Sequence, residues 1–349
     1  ALAPASSAAF AKFPISGMLG DILTKIGSLV DFLTAETMFF VLSGFIIAEA
    51  ALAFYGGRPG AFLGNRLIRL WPPQLAALLV TAVVLLATQT PPGTFAPGNL
   101  VANALALFPT VPLTDPLLGA EPRLYLLPVV WALRAEFLFY ACVALLLLLA
   151  RALSPAGRRA LLPAALAVPL LASLLFHHLW ALSPRLVFYA GLAPHFLLGA
   201  TVALGLAGRL PRRLALAIGA AALLLAAAHA LTFRVEDRDT LAWSAPLAWE
   251  RVAGALLYLA LLALAWRRLG RPVEGLAKAR DRYLGDLSYP LYLLHWPALI
   301  LTGLLWPVAH WSNLLVALVF SLLLAGALQL LLDPPLQAWR RRLRGRPLP

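Results

Sequence analysis

Hydrophobic positions in this chain gather in long, nearly unbroken runs separated by short polar clusters. Soluble helices show a one-sided stripe and half-buried strands alternate, and neither pattern dominates here. The runs predict membrane spans at about 36–55, 71–89, 126–150, 160–180, 186–207, 213–232, 248–266, 285–303 and 312–332, each close to the roughly 20 residues that cross a bilayer as a helix. Long apolar runs are also unlike the weak dyad alternation of an outer-membrane barrel. The expected fold class is therefore all-α, a polytopic transmembrane helical bundle with nine spans.

Composition agrees. Of 349 residues, 62% are hydrophobic and 12% charged, and mean hydropathy is +0.85, whereas a soluble domain carries about 25% charged residues. The single cysteine, Cys142, excludes an internal disulfide or a cysteine metal cluster and reads as a small buried hydrophobe. The net charge of +13 suggests nucleic acid only until its distribution is followed. Of the 28 Lys and Arg, 20 fall in alternate connections and the C-terminal stretch: at Arg58, Arg66 and Arg69, around Arg151, around Arg212, between Arg267 and Arg282, and from Arg340 to Arg346. The opposite loops hold Asp115, Glu121, Glu236, Asp237 and Asp239. This positive-inside asymmetry places the basic side in the cytoplasm, with no nucleic-acid partner expected and the lipid bilayer as the surrounding medium.

That topology divides the chain into an external or interfacial segment 1–35, a transmembrane domain 36–333 and a basic cytoplasmic tail 334–349. No basic stretch precedes an apolar core near Ala1, so no signal peptide is expected. Nine spans with an external start suggest a further helix ahead of Ala1. The outer loop 90–125 is rich in Pro and Gly, and its middle, Asn99 to Phe108, is apolar enough for a short re-entrant or interfacial helix. No internal repeat is visible, which counts against an inverted-repeat transporter. Trp71, Trp131, Trp180, Trp243, Trp249 and Trp306 fall near expected interfaces and read as an aromatic belt.

Four polar patterns interrupt the Leu/Ala background. In FFVLSGF, Ser43 and Gly44 are small residues that permit a close approach of helix or ligand. Arg66 and Arg69 lie three apart ahead of Trp71-Pro72-Pro73, where two guanidiniums could form a fork for phosphates or supply ordinary positive-inside charge. The proline pair should fix the chain as it enters the membrane. In WALRAEFLFY, Glu136 lies deep in a span with Tyr140 one turn on. A carboxyl there must be hydrogen-bonded, paired with a cation or protonated. Finally, LGDLSYPLYLLHWP sets Ser288, Tyr292 and His295 at i, i+4 and i+7 on one helix face, with Pro297 kinking the helix beside the histidine. The other histidines, at 177, 178, 195, 229 and 310, read as interfacial or packing residues. No HExxH, P-loop, GxSxG or carboxylate cluster appears, and no metal is expected.

In this order, the four patterns resemble those of the acyltransferase-3 family of membrane-bound O-acyltransferases. FFVLSGF is similar to that family's segment of the same sequence, Arg66 and Arg69 to its RxxR, WALRAEFLFY to its W-S-L-x-x-E-x-x-F-Y, and LGDLSYPLYLLHWP to its L-G-x-x-S-Y-x-L-Y-L-x-H-x-P. The likeness runs from Met38 to about Asp333. Two departures stand out. Ala132 replaces the family's usual serine, and no segment before Met38 carries the arginine and histidine of the family's first helix, the histidine being its presumed base.

The resemblance implies transfer of an acyl group, often acetyl, from cytoplasmic acyl-CoA to a hydroxyl of a glycan or lipid-linked sugar in the bacterial inner membrane, with the C-terminus cytoplasmic. Arg66 and Arg69 would then bind the donor's phosphates, while Glu136 and His295 are the remaining titratable candidates for catalysis. Ser43, Tyr140, Ser288 and Tyr292 would line the cavity. A carrier or flippase for a polar lipid or glycan is the alternative from another class, and a non-catalytic partner of a larger assembly is a third.

Overall fold

The computed structural model of the chain describes residues 32–87, 95–105, 126–179, 184–232, 256–257, 259–264, 267, 274–305 and 312–345. Among them every regular element is helical: α1 (Phe32–Phe54), α2 (Pro59–Leu86), a short α3 (Pro97–Ala104), a 3-10 turn (Pro128–Val130) running into α4 (Trp131–Ala152), α5 (Pro155–Leu179), α6 (Pro184–Leu206), α7 (Arg212–Thr232), α8 (Gly275–Leu305) and α9 (Ser312–Arg344). The expected exterior segment 1–35 up to residue 31, the outer loop 233–247 and most of the span at 248–266 lie outside the described residues.

Five helices are long and apolar enough to cross a bilayer among the described residues: the apolar stretches of α1 (Thr37–Phe54), α2 (Pro59–Leu86), α4 (Ala132–Ala152), α5 (Pro155–Leu175) and α9 (Asn313–Arg344). α6 holds a shorter apolar stretch, Gly191–Leu206. Their outward faces carry exposed leucines such as Leu79, Leu171 and Leu323, which suit lipid better than water. The protein is an all-α membrane helical bundle.

Several of the sequence-based boundaries shift, among them the start of α8, at Gly275 rather than 285, the start of α2 and the end of α9. α2 begins at Pro59, ahead of Arg66 and Arg69, because proline at a helix's first turn lacks an N–H that would have no partner there anyway. The pair Pro72–Pro73, expected where the chain enters the membrane, consequently lies inside α2. The missing N–H groups remove the helix bonds to the Ile68 and Arg69 carbonyls, and beside them Tyr289 of α8 donates its hydroxyl to the Leu70 carbonyl at 2.8 Å. α9 likewise runs past residue 333, through Pro334 and Pro335, to Arg344. The segment expected as a separate tail is thus helix as far as Arg344, and it packs back on the turn between α1 and α2. Arg58 Nη2 donates to the carbonyls of Phe54 and Arg344, the latter at 2.9 Å. The Arg344 guanidinium lies 3.4 Å over the Phe54 ring, and Asn65 Nδ2 donates to the Arg340 carbonyl at 3.0 Å.

A short helix does form in the outer loop, over Pro97–Ala104 against the expected Asn99 to Phe108. Its end meets α2 near mid-length: Trp71 Nε1 donates to the Ala104 carbonyl at 2.8 Å and Gln74 Nε2 to the Asn103 carbonyl at 3.1 Å. Gln74 is 12 residues from the end of α2 at Leu86, a depth of about 18 Å at the helical rise. Asn103 Oδ1 then accepts the Leu126 N–H at 3.0 Å, so the chain leading to α4 is anchored at the same level. Trp71, expected in the aromatic belt, is a buttress for this loop.

The helices pack as two groups. α5, α6 and α7 share a core of Leu166, Leu170, Leu197, Leu198 and Ile218, with α1 laid along α6. α2, α4, α8 and α9 share another, built on Phe62, Leu133, Tyr140, Leu293 and Ala325. The α1–α6 contact is backbone on backbone. A Cβ on Gly44 would overlap the Phe196 carbonyl, and one on Gly199 would overlap the Val41 carbonyl, the close approach that small residues permit between membrane helices. Phe196 then stacks on Phe139 of α4 with ring centroids 4.4 Å apart, joining the two groups.

Gly44→Ala and Gly199→Ala should each lower stability by about 1–3 kcal/mol, the usual cost of overpacking, read as a reduced thermal midpoint of the purified protein. Gly219→Ala, whose added carbon would meet only Thr201 Cγ2 at 3.8 Å, should leave the midpoint unchanged or raise it.

Candidate active site

A buried carboxyl sits where the two helix groups meet. Gly44 draws α1 against α6, and its neighbour Ser43 turns toward α4. There Ser43 Oγ donates to Glu136 Oε1 at 2.7 Å. Tyr140, one turn along α4, donates its hydroxyl to the same oxygen, the i, i+4 relation expected from the sequence. Ser43, Glu136 and Tyr140 are all buried. Glu136 Oε2 has no hydrogen-bond partner among the described residues. One oxygen is therefore held by two hydroxyls, while the other keeps its lone pairs for something else.

The nearby cation is Arg66 of α2. Its guanidinium carbon lies 5.6 Å from the Phe62 ring centroid and 5.7 Å from that of Tyr140, within cation–π range. It is buried, and its Nε has no partner among the described residues. Arg69 goes elsewhere. It lines a small polar pocket with Asp286 and Tyr289 of α8 and with Gln329, Asp333 and Arg340 of α9. The two arginines read from sequence as one fork thus reach into adjoining environments: Arg66 toward the carboxyl, Arg69 toward the basic end of the bundle.

The third group lies between α8 and α9. Ser288, Tyr292 and His295 line a groove of about 420 Å³ together with Leu291, Leu299, Leu314, Ala317, Leu318 and Ser321, so the i, i+4, i+7 face faces one space, as the spacing requires. Ser288 Oγ donates to the Gly285 carbonyl at 2.7 Å and the Tyr292 hydroxyl to the Val129 carbonyl at 2.5 Å. His295 Nδ1 lies 2.6 Å from the Tyr292 carbonyl. A carbonyl only accepts, so Nδ1 carries the proton and Nε2 is left as an acceptor. None of Ser43, Glu136 and Tyr140 lines this groove. The structure therefore brings the eight candidate residues into three neighbourhoods rather than one.

Sequence reading passed over Tyr289, Asn65, Gln74 and Asn103. Tyr289 sits one place off the chosen face and points to α2. Gln74, Asn103 and Asn65 are amides inside or beside apolar helices, and that alone was a signal, since amides at such depth usually bond across helices.

Tyr140→Phe should cost about 0.5–1.5 kcal/mol, the usual range for one hydrogen bond, because Ser43 still holds the same oxygen. Ser43→Ala should cost a similar amount, because both hydroxyls serve the same oxygen. Thermal melts of the two single variants and the double variant test this: the double should lose more than the sum, because only then is the buried oxygen left without a donor, and strict additivity would contradict it.

A family model described as an acyltransferase domain matches residues 10–330. No curated protein and no solved structure matches the chain. The match spans all four motifs and nearly the whole chain, so the protein belongs to the acyltransferase-3 family and is an acyltransferase of the membrane.

Proposed function

We propose that this protein moves an acyl group, acetyl in the simplest case, from cytoplasmic acyl-CoA to a hydroxyl of a glycan or lipid-linked sugar of the cell envelope. The supporting observation is the Glu136 carboxyl, fixed through one oxygen by Ser43 and Tyr140 and buried without a partner among the described residues at the other. In such a transfer the acceptor hydroxyl loses its proton as its oxygen attacks the thioester carbonyl. The new C–O bond forms, the C–S bond breaks, and the CoA sulfur takes up a proton. The step needs a positioned proton acceptor and donors for the developing oxyanion.

In this reading Glu136 Oε2 receives or relays the acceptor's proton, or orients the group that does. Arg66, stacked on Tyr140, supplies positive charge beside the carboxyl in a medium where charge acts strongly. Arg69, at the basic end, holds the donor's phosphates, for which a guanidinium is suited. The bundle sits in the bacterial inner membrane with its basic end and C-terminus in the cytoplasm, where acyl-CoA is made.

Glu136→Gln should lower substrate-stimulated CoA release and product acylation at least tenfold, in line with the roughly 100-fold or greater contribution of a general acid–base group. A variant acylating at the normal rate would remove Glu136 from the mechanism. Arg69→Ala should raise KM for acyl-CoA about tenfold with kcat little changed, the signature of lost ground-state binding. An unchanged KM would contradict the phosphate role.

A further inference from the structure

We infer that the groove between α8 and α9 is a binding site for a membrane-dissolved alcohol, with the hydroxyl on His295 and the hydrocarbon chain lying along the leucines. This rests on the proposed reading that the acceptor carries a hydroxyl, and it goes further by naming a groove, apart from Glu136, through which an amphiphilic acceptor enters and the atom that holds its hydroxyl there. Three observations carry it. The groove has about 420 Å³ of space, room for a hydrocarbon chain of moderate length rather than a water or an ion. Its outer rim is Leu314 and Leu318, which are 55% and 50% exposed on the outward side of α9, so the opening faces lipid and is reached from within the bilayer.

The third observation is the state of the polar groups on its inner wall. Ser288 and Tyr292 already donate their hydroxyls to the carbonyls of Gly285 and Val129, and His295 Nδ1–H donates to the Tyr292 carbonyl. Every donor on that wall is committed within the protein. What the wall still offers is acceptors, His295 Nε2 foremost. A ligand that completes this wall must therefore bring a donor. An alcohol does so. A thioester carbonyl, an ester or an ether does not, so the acyl chain of the donor is the poorer match and the hydroxyl-bearing acceptor the better one.

The test needs no acylation. Purified protein in lipid nanodiscs is exposed to a long-chain alcohol bearing a diazirine, irradiated, and mapped by mass spectrometry. Labels should concentrate on α8 and α9 at the groove. Unlabelled alcohol should compete at least tenfold better than its methyl ether, which has the same chain and no donor. His295→Ala should abolish that preference for alcohol over ether, and Leu314→Trp or Leu318→Trp, which place a ring in the groove from the lipid side, should each remove most of the labelling. Size-exclusion profiles matching the parent protein establish that the variants fold. Labels spread evenly over the lipid-facing helices, or equal competition by the ether, would overturn the site. Because the readout is labelling, a protein that labels as described but releases no CoA would count against the acyl-transfer reading alone, whereas one that transfers acyl groups without the alcohol preference would count against the groove alone.

Discussion

The backbone contact between α1 and α6 is the constraint on which the rest of this bundle rests. In a bilayer no hydrophobic effect presses helices together, because lipid tails are as apolar as leucine, and association comes from packing and hydrogen bonds. Gly44 and Gly199 remove the two side chains that would hold α1 and α6 apart. With α1 fixed so closely, the next residue, Ser43, has its direction chosen for it and meets Glu136. Phe196, against which Gly44 rests, stacks in turn on Phe139 of α4. The same contact therefore fixes the helix that carries the carboxyl and the residue that binds it.

Around this contact several hydroxyls are answered by a backbone carbonyl. Thr81, Thr302 and Ser321 bond back to the carbonyls of Ala77, Ala298 and Ala317 one turn earlier in their own helices. Tyr289 and Tyr292, adjacent in their helix turn, reach out instead to Leu70 and Val129. These two bonds tie α8 to the turn of α2 beside its proline pair on one side and to the segment ahead of α4 on the other. Against this background the atoms left over are informative. Glu136 Oε2 and Arg66 Nε are buried without partners among the described residues, in a medium where an unsatisfied polar atom costs several kcal/mol by the usual order of magnitude. They lie in the same neighbourhood.

Much of this was legible in the sequence, because a bilayer simplifies the code. Span positions follow from apolar run length, so α1, α5, α6 and α7 begin and end within a few residues of expectation. The polar face of α8 follows from helical spacing alone, and Glu136 with Tyr140 from the same rule. What failed was local. The proline pair reads as a break, yet α2 continues through it to Leu86, and a tyrosine 219 positions on in the chain packs its hydroxyl on the neighbouring Leu70 carbonyl. The basic stretches that open α8 and close α9 read as loop and tail, since charge marks where hydrocarbon ends and says nothing of where helix ends. The parting of Arg66 and Arg69 was invisible too: spacing gives a shared helix face, while the destination of each long side chain is set by Tyr140, Asp286 and Arg340 on other helices.

The strap at the basic end bears on how the chain is assembled. Arg58 shares its guanidinium between the Phe54 carbonyl and that of Arg344, 286 residues later, and Arg344 covers the ring of Phe54. The turn following the first described helix thus gains its partner only when the last turn of the last helix has left the ribosome. Contacts of such sequence separation form late, because the chain between them must first be placed. The corner between α1 and α2 therefore closes late in folding, once α9 is in place.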